Sequence, residues 1–421
     1  MSSDERIVRQ SLQSVGGGDE DGVYGTAGAP QECSFVKRLC DVVRRECDIM
    51  RRNSMYLFCM VVFPVIVTVF FTSLMSAGQP ADMPVGVVDL DNTSTSRALV
   101  RKLDAFQATE VVARYASVAE ARQAMQRNKI YAFLYIPKGT TSDLLAMRQP
   151  KISFYYSSAS YTAGALLYRD LKTISTLGSA SVGASVLSAK GLTENQVMAF
   201  LQPMVVDLHM INNPMANYSV YLNTMLIPGC LMLFIFLMSA YSLGTELKFA
   251  SAGDWMASAG GNVYAALLGK LLPQTVVYLA IVYAYMFYVF GVLGFPHPGG
   301  VGYILLLGLL TVLSSQGFGV FVFGLVPSLR MSMSICCLWA VLSYSLSGTA
   351  FPLSAMDSEI RAIALLFPLR HYYMIYQLNI FNGYPLDYSW PYVVVMVAFA
   401  ALPLIVAGRI KKNVMTYQYL P

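Results

Sequence analysis

Charge is scarce in this 421-residue chain, where Asp, Glu, Lys and Arg together make up 13% of the residues, about half the share of an ordinary soluble domain. The scarcity is uneven. Stretches 56–75, 221–245, 271–329, 331–356 and 388–408 carry none of the four, and each can hold at least one helix of the roughly 20 residues that cross a hydrocarbon core. This argues against a water-soluble fold. Histidine is rarer still: His209, His297 and His371 stand far apart, and without an HExxH, CxxC or His/Asp constellation nothing supports a metal or hydrolase site. The phosphate-loop pattern GxxxxGK[ST] is missing, because Gly269-Lys270 runs on into Leu-Leu-Pro; the chain is not expected to hydrolyse ATP alone. VVDLD at 87–91 imitates the strand and carboxylate of a Walker B segment, but with no phosphate loop it reads as a strand end followed by a turn. None of the seven cysteines falls between 76 and 220, which excludes disulfides there. The apolar runs also lack ionisable residues at membrane depth, holding only Asn223, Gln274, Gln316, hydroxyls and tyrosines as polar groups. An ion-coupled carrier needs such residues to bind its ion, so energy is expected to enter from outside the membrane.

What remains is mostly membrane. The first apolar run starts at Tyr56, too late and too long for a cleavable signal peptide, and the run 271–329 is broken at GFPHPGG, 294–300, by Pro and Gly. The sequence therefore predicts six spans, near 56–75, 221–243, 272–293, 302–325, 331–350 and 391–408. Lys37, Arg38, Arg44, Arg45, Arg51 and Arg52 precede the first span, Lys248 and Lys270 fall in one same-side loop, Arg330 in the next, and Arg409, Lys411 and Lys412 follow the last. The opposite short loops offer Arg361 and Arg370. By the positive-inside rule both termini are expected in the cytoplasm.

Residues 1–32, rich in Gly, Ser and charge, read as a disordered cytoplasmic tail. At 33–54, Val36, Cys40, Val43, Cys47 and Met50 fall on one helical stripe opposite a basic face. This is the pattern of an interfacial helix with its apolar stripe in the bilayer and its basic side toward lipid phosphates; the lipid surface, not nucleic acid, is the expected partner. After a first membrane helix at 55–76, residues 77–220 are predicted to form an external α/β domain. PVGVVDLD, TSTSRALVRKLDAF, TEVVARY, SVAEARQAMQRN, KIYAFLYIP and KISFYYS alternate as β, α, β, α, β and β, giving a largely parallel sheet. Thr93 or Ser94 and Ser117 are the helix starts, Ser117 with Glu120 as a capping box. Small and apolar residues from about 161 to 200 read as long helices leading back to the membrane. A five-helix region, 221–412, carries a cytoplasmic loop at 244–270 and, at 351–390, a segment too interrupted by Pro and charge to span; 413–421 form a cytoplasmic C-terminus. The fold class predicted is a polytopic α-helical membrane protein with six transmembrane helices and an inserted external α/β domain.

One short stretch within all this apolar sequence is different. GTELKFASAGDWMASAGGNVYAALLGK, 244–270, places Glu246, Lys248, Asp254 and Trp255 among small residues. Small residues permit close approach, Trp255 and Met256 offer an apolar anchor, and the charges can pair with a partner.

The order of these features resembles the type-2 ABC exporter permeases over about 35–415: a basic amphipathic helix, a first span with an internal Pro64, PVGVVDLDNTSTSRALVRKL opening an inserted domain, Glu246 closing the second span, GKLLP at 269–273 opening the third, then SGTAFPL at 347–353 and FPLRHYY at 367–373. It is similar to the subgroup with a large external domain between the first two spans, found in drug-efflux and envelope-export systems of the bacterial inner membrane. The resemblance implies a coupling helix in 244–270 that fits a groove on a separate ATP-binding subunit, with Glu246, Lys248, Asp254, Trp255, Met256, Ser258, Gly269 and Lys270 in the coupling segment and the basic helix beside it. Where relatives often carry Arg after the Glu and a Thr/Ser-Pro pair, this sequence has Leu247 and Ser258-Ala-Gly-Gly. It further implies an outer gate of Phe351, Pro352, Pro368, Arg370, His371 and Tyr372, and a second permease chain, identical or paralogous. The chain binds no cofactor by this reading, ATP and Mg belonging to the partner subunit. A periplasmic adaptor with an outer-membrane channel is a candidate partner, and the inserted domain docks it, gathers substrate or stabilises the dimer. The competing readings are a subunit that transmits force to its external domain without transport, and a membrane sensor or scaffold with no ATPase.

Overall fold

The computed structural model describes residues 35–146, 148, 150–157, 161–201, 212–214 and 216–416. The tail predicted at 1–32 and the last residues, 417–421, lie outside them. The described residues divide into two units, one up to Ser76 and again from Tyr218 onward, the other Ala77–Asn217.

In the first unit a short helix α1 (Phe35–Arg52) stops at Asn53. The side chain of Asn53 accepts a hydrogen bond from the Met55 backbone N–H and so caps the first long helix, α2 (Ser54–Leu74). Within α2, residues Phe58–Val62 widen into a π-turn just ahead of Pro64. Pro64 has no N–H to offer the preceding turn, and the wider turn absorbs that mismatch. Five more long helices follow: α8 (Tyr218–Lys248), α10 (Val263–Val292), α11 (Val301–Leu325), α12 (Leu329–Leu346) and α15 (Trp390–Thr416). Among the described residues these and α2 are the six helices long and apolar enough to cross a membrane, one in each stretch the sequence predicts. Three run further than predicted, α15 by continuing to Thr416. Helix α8 continues to Lys248 and α10 begins at Val263, so Lys270 lies two turns inside a helix and not in a loop.

Helices α8 and α11 are the buried pair of this unit, whereas α2, α12 and α15 turn most of their surface outward. The outward residues include Phe58, Val65, Val69, Leu338, Val397 and Ile405, which water would not tolerate and lipid does. Small residues set the closest approaches. A Cβ on Gly317 would collide with the backbone carbonyl of Phe399 on α15, so only glycine lets α11 and α15 meet there. Between α12 and α15 the chain forms two short helices, α13 (Ser358–Ala364) and α14 (Pro368–Ile375), the latter continuing as a π-turn through Tyr376–Phe381.

The second unit is built on a four-stranded sheet: β1 (Met83–Asp89), β2 (Thr109–Arg114), β3 (Ala132–Ile136) and β4 (Ser153–Tyr156), in spatial order β2-β1-β3-β4. β1 pairs parallel with β2 and β3, and β3 antiparallel with β4. The parallel pairs are reached through crossover helices α3 (Ser94–Asp104) and α4 (Val118–Gln126). Alternation separates the two faces. Ala132, Leu134 and Ile136 of β3 join Val100 and Leu103 of α3 and Leu167 and Leu171 of α6 (Tyr161–Ala189), whereas Phe133 joins Ala121 and Ala124 of α4. α5 (Thr140–Leu145) precedes β4, and α7 (Glu194–Leu201) follows α6. The reciprocal capping box is at Thr93 and Ser96. At Ser117 the hydroxyl caps Glu120 N–H, but the Glu120 carboxylate accepts from Ala116 N–H instead of returning to Ser117. VVDLD ends in a turn, with Asp89 accepting from the backbone N–H groups of Asp91 and Asn92.

Candidate functional site

The segment after the second long helix folds back on the helices that flank it. Past Lys248 the chain turns at Ala250, whose φ is +55°, and Ser251 returns its hydroxyl to Glu246 Oε2 at 2.5 Å. Ser251 also accepts, through its carbonyl, the N–H of Trp255, starting the short helix α9 (Ala252–Ser258). Gly260 and Gly261 then turn the chain with φ of +60° and +76°, a conformation that costs a residue with a Cβ. Asn262 caps α10 by accepting from Tyr264 and Ala265 N–H.

This hairpin encloses a cluster of four charges. Arg45 donates to both Glu246 oxygens, at 2.8 and 2.9 Å, a bidentate fork that fixes geometry as well as charge. Lys270 Nζ donates to Glu246 Oε1 at 2.7 Å and to Glu46 Oε1 at 2.8 Å, and Arg45 also reaches Glu46 at 2.9 Å. Two cations and two carboxylates balance, which is what permits Lys270, Glu46 and Glu246 to be 1%, 0% and 2% exposed. The Lys270 ammonium also lies 5.1 Å from the centre of the Trp255 ring, and Trp255 Nε1 donates to the Ala266 carbonyl at 3.3 Å. α1 reaches this cluster because Gly269 has no side chain: a Cβ there would stand 2.7 Å from Val42 Cβ. Outside the long helices, burial pushes the Glu46 carboxyl above its ordinary range, against the pull of Lys270. Arg45 is held above its ordinary value, since the bond and charge of Glu246 outweigh burial.

Two sequence expectations change here. Trp255 and Met256 are not an outward anchor: they are 0% and 4% exposed, packed with Leu243, Ala266 and Phe323. Glu246 and Lys270 are not available to a partner's charges, because they neutralise each other and α1. The outward face of α9 is Gly253, Asp254 and Ala257, flanked by Lys248, Gly260, Gly261 and Tyr264. Lys248 stands over the Phe249 ring at 5.5 Å, and Ser258 donates to the Trp255 carbonyl at 2.8 Å. In α1 the face packed on the other helices runs through Leu39, Val42, Glu46 and Ile49, while Val36, Cys40 and Cys47 of the apolar stripe are exposed and Met50 is partly buried against the helix core. Lys37, Arg44, Arg51 and Arg52 are exposed, whereas Arg45 turns into the cluster and Arg38 lies against Gly260. Glu46 was not legible as a site residue. Its signal is an acid at the 3.6-residue spacing of Val42 and Ile49, on a packing face where only a buried cation could accommodate it.

The residues of the expected gate are brought together in part. Arg370 Nη1 donates to the Ser347 carbonyl at 2.7 Å, tying α14 to the turn after α12. Tyr372 donates to the Thr224 carbonyl at 3.3 Å and Tyr221 to the Thr349 carbonyl at 2.5 Å, so SGTAFPL, α14 and the start of α8 form one knot. Pro368 is buried at the start of α14, where its missing N–H costs nothing. Phe351 and Pro352 are exposed and join none of this. His371, 1% exposed, sits 2.8 Å from the Leu365 carbonyl through Nε2, which must therefore carry the proton, and Nδ1 has no partner. Burial, with Arg370 adjacent, lowers the pKa of His371, and burial lowers that of Arg370. Among the described residues no three of His, Cys, Asp and Glu gather into a metal-holding group.

No curated protein matches the chain. The sequence profile of the ABC-2 family transporter proteins matches residues 55–409, from the first long helix, through the Glu246 cluster and the α14 knot, into the last. This multi-pass membrane chain belongs to the ABC-2 family of transporter proteins, as a membrane component of an ABC transporter.

Proposed function

We propose that this chain is the permease half of an ATP-driven exporter, worked by a separate ATP-binding subunit that docks on the outward face of α9 and the exposed basic residues of α1. One observation carries this reading. Glu246, Lys270, Arg45 and Glu46 tie the end of α8, the start of α10 and α1 into a single body, with Ser251 and Trp255 fastening α9 to it. A push on α9 is then handed to two spans at once, as a rigid element must do to bias a conformational equilibrium. Asp254, Lys248 and the small residues Gly253 and Ala257 supply the contact, while Trp255 supplies stiffness from within. ATP and Mg reside on the partner, and two permease chains pair with two ATPase subunits.

In this reading both termini and α9 face the cytoplasm of a bacterial cell, residues 77–217 lie outside its inner membrane, and the α14 knot is the outer gate. Spans rich in Met, Tyr and Phe suit an apolar or amphipathic substrate, and a periplasmic adaptor with an outer-membrane channel completes the route. Gentle-detergent purification should bring down an ATP-binding subunit. The pair Asp254→Arg and Lys248→Glu should abolish stimulated ATPase at unchanged thermal stability. Unaltered ATPase, or labelling of a cysteine at Gly253 by an impermeant reagent on intact cells, would remove the proposal.

A further inference from the structure

The unit of residues 77–217 holds a cavity that the transport reading does not use. Its volume is about 690 Å³, within the range that encloses a drug-sized molecule. Its wall is formed by Leu99, Ile136, Leu144, Ile152, Phe154 and Ile174, of which Ile136 and Ile174 are fully buried. Hydroxyls border it, yet most are committed to the chain itself. Ser96 donates to Asp89 at 2.7 Å, Thr140 to the Pro137 carbonyl at 2.6 Å, Thr141 to Asp91 at 2.5 Å and Ser179 to the Ser175 carbonyl at 2.9 Å.

The charge around this apolar space is of one sign. Lys102, Arg148 and Lys151 line it and no Asp or Glu does; all three cations are exposed, at the rim, and no described carboxylate pairs with them. The carboxylates behind the wall, Asp89 and Asp91, are occupied by Ser96, Thr93, Thr141 and the Gly139 N–H. Three cations around one apolar mouth repel one another, and an anion placed among them relieves that repulsion.

We infer that this cavity binds an amphipathic anion, with its carboxylate, sulfate or phosphate head among Lys102, Arg148 and Lys151 and its apolar body along Leu99, Phe154 and Ile174. The inference does not rest on the transport reading, and the binding it describes is independent of ATP. A neutral amphiphile would leave the cations uncompensated, and a small inorganic anion would leave the apolar wall wet.

The test uses the full chain in nanodiscs of zwitterionic lipid. In one arm a diazirine-bearing dodecanoate is added from water; in the other a diazirine-bearing phosphatidylglycerol is built into the bilayer. After irradiation, adducts are mapped by mass spectrometry. Saturable labelling of peptides within 95–102, 136–154 or 174–179 is expected in at least one arm, the first identifying a free amphiphile and the second a membrane lipid. Lys102→Gln/Arg148→Gln/Lys151→Gln should weaken it by about tenfold or more, the loss of one charge-assisted hydrogen bond. Ser179→Trp, at an exposed position of the mouth, should block it by bulk. All four positions are exposed, so the fold should survive, which the thermal midpoint checks. Absence of labelling in both arms, equal labelling by a diazirine-bearing dodecanol, or labelling unchanged in the triple variant would overturn the inference.

Discussion

Replacing Glu246 by Gln should be among the most damaging isosteric changes in this chain, and its damage should be reversible by a second substitution. Glu246 accepts four hydrogen bonds, two from Arg45, one from Lys270 and one from Ser251. Gln keeps the shape and the acceptor for Ser251 but leaves two cations against the single carboxylate of Glu46 in a site where Lys270 is 1% exposed. Breaking a buried pair from one side costs about 3–5 kcal/mol, enough to lower a thermal midpoint by about 10 °C. Glu246→Gln with Lys270→Met restores one cation against one carboxylate, Arg45 with Glu46, and should recover at least about 2 kcal/mol relative to the sum of the two single changes. Unfolding of the detergent-purified protein, followed by tryptophan fluorescence, measures all three. If the single variant stays within about 0.5 kcal/mol of the parent, or the two losses simply add, the cluster is not the charge-balanced unit described above.

Trp255→Asp should prevent accumulation of folded protein, since it places a carboxylate where the native side chain is 0% exposed; normal yield in the membrane fraction would contradict this. Gly269→Leu should overpack α1 against α10 and destabilise by about 1–3 kcal/mol, and Val42→Ala should rescue part of that loss in the same unfolding assay. For His371 the folded protein lowers the pKa below the ordinary 6.5. Stability from this group is therefore complete above pH 6.5 and declines as pH falls through the lowered value. A midpoint scan between pH 6.5 and about 5 should show that decline in the parent and a flatter profile in His371→Gln.

The long helices were legible because the bilayer imposes a length and forbids unpaired charge, so charge-free runs mark them directly. The strands were legible because alternation encodes a two-sided sheet. The hairpin at 244–270 was legible as special but not as built. Lys270 and Glu246 read as loop charges because a charge usually ends an apolar run. Both lie within helices because Glu46 and Arg45, more than 200 residues away for two of these bonds, supply the counter-charges, and pairing at that separation leaves no local trace. Trp255 among small residues reads as an exposed anchor for the same reason: the groove that receives it exists only once α8, α10 and α11 have packed. In α1 the apolar stripe was legible from its periodicity, but the face that packs on α10 was not, because it carries Glu46 and depends on Gly269 letting Val42 approach.

The chain leaves helical geometry at Asn53, between α1 and the first long helix, and this break sets the route by which any load applied to α1 can leave it. Apart from the Arg45–Glu46 bond within α1 itself, the bonds that Arg45 and Glu46 make go to α8 and α10, while the chain passes from α1 to α2 through a single extended residue, itself held by Tyr241 of α8 at 3.3 Å. A torque on α1 thus reaches α8 and α10 directly, and its own sequence neighbour α2 feels it through α8, which α2 meets at Tyr56–Tyr241, Phe63–Phe234 and the Asn223 bond to the Phe71 carbonyl.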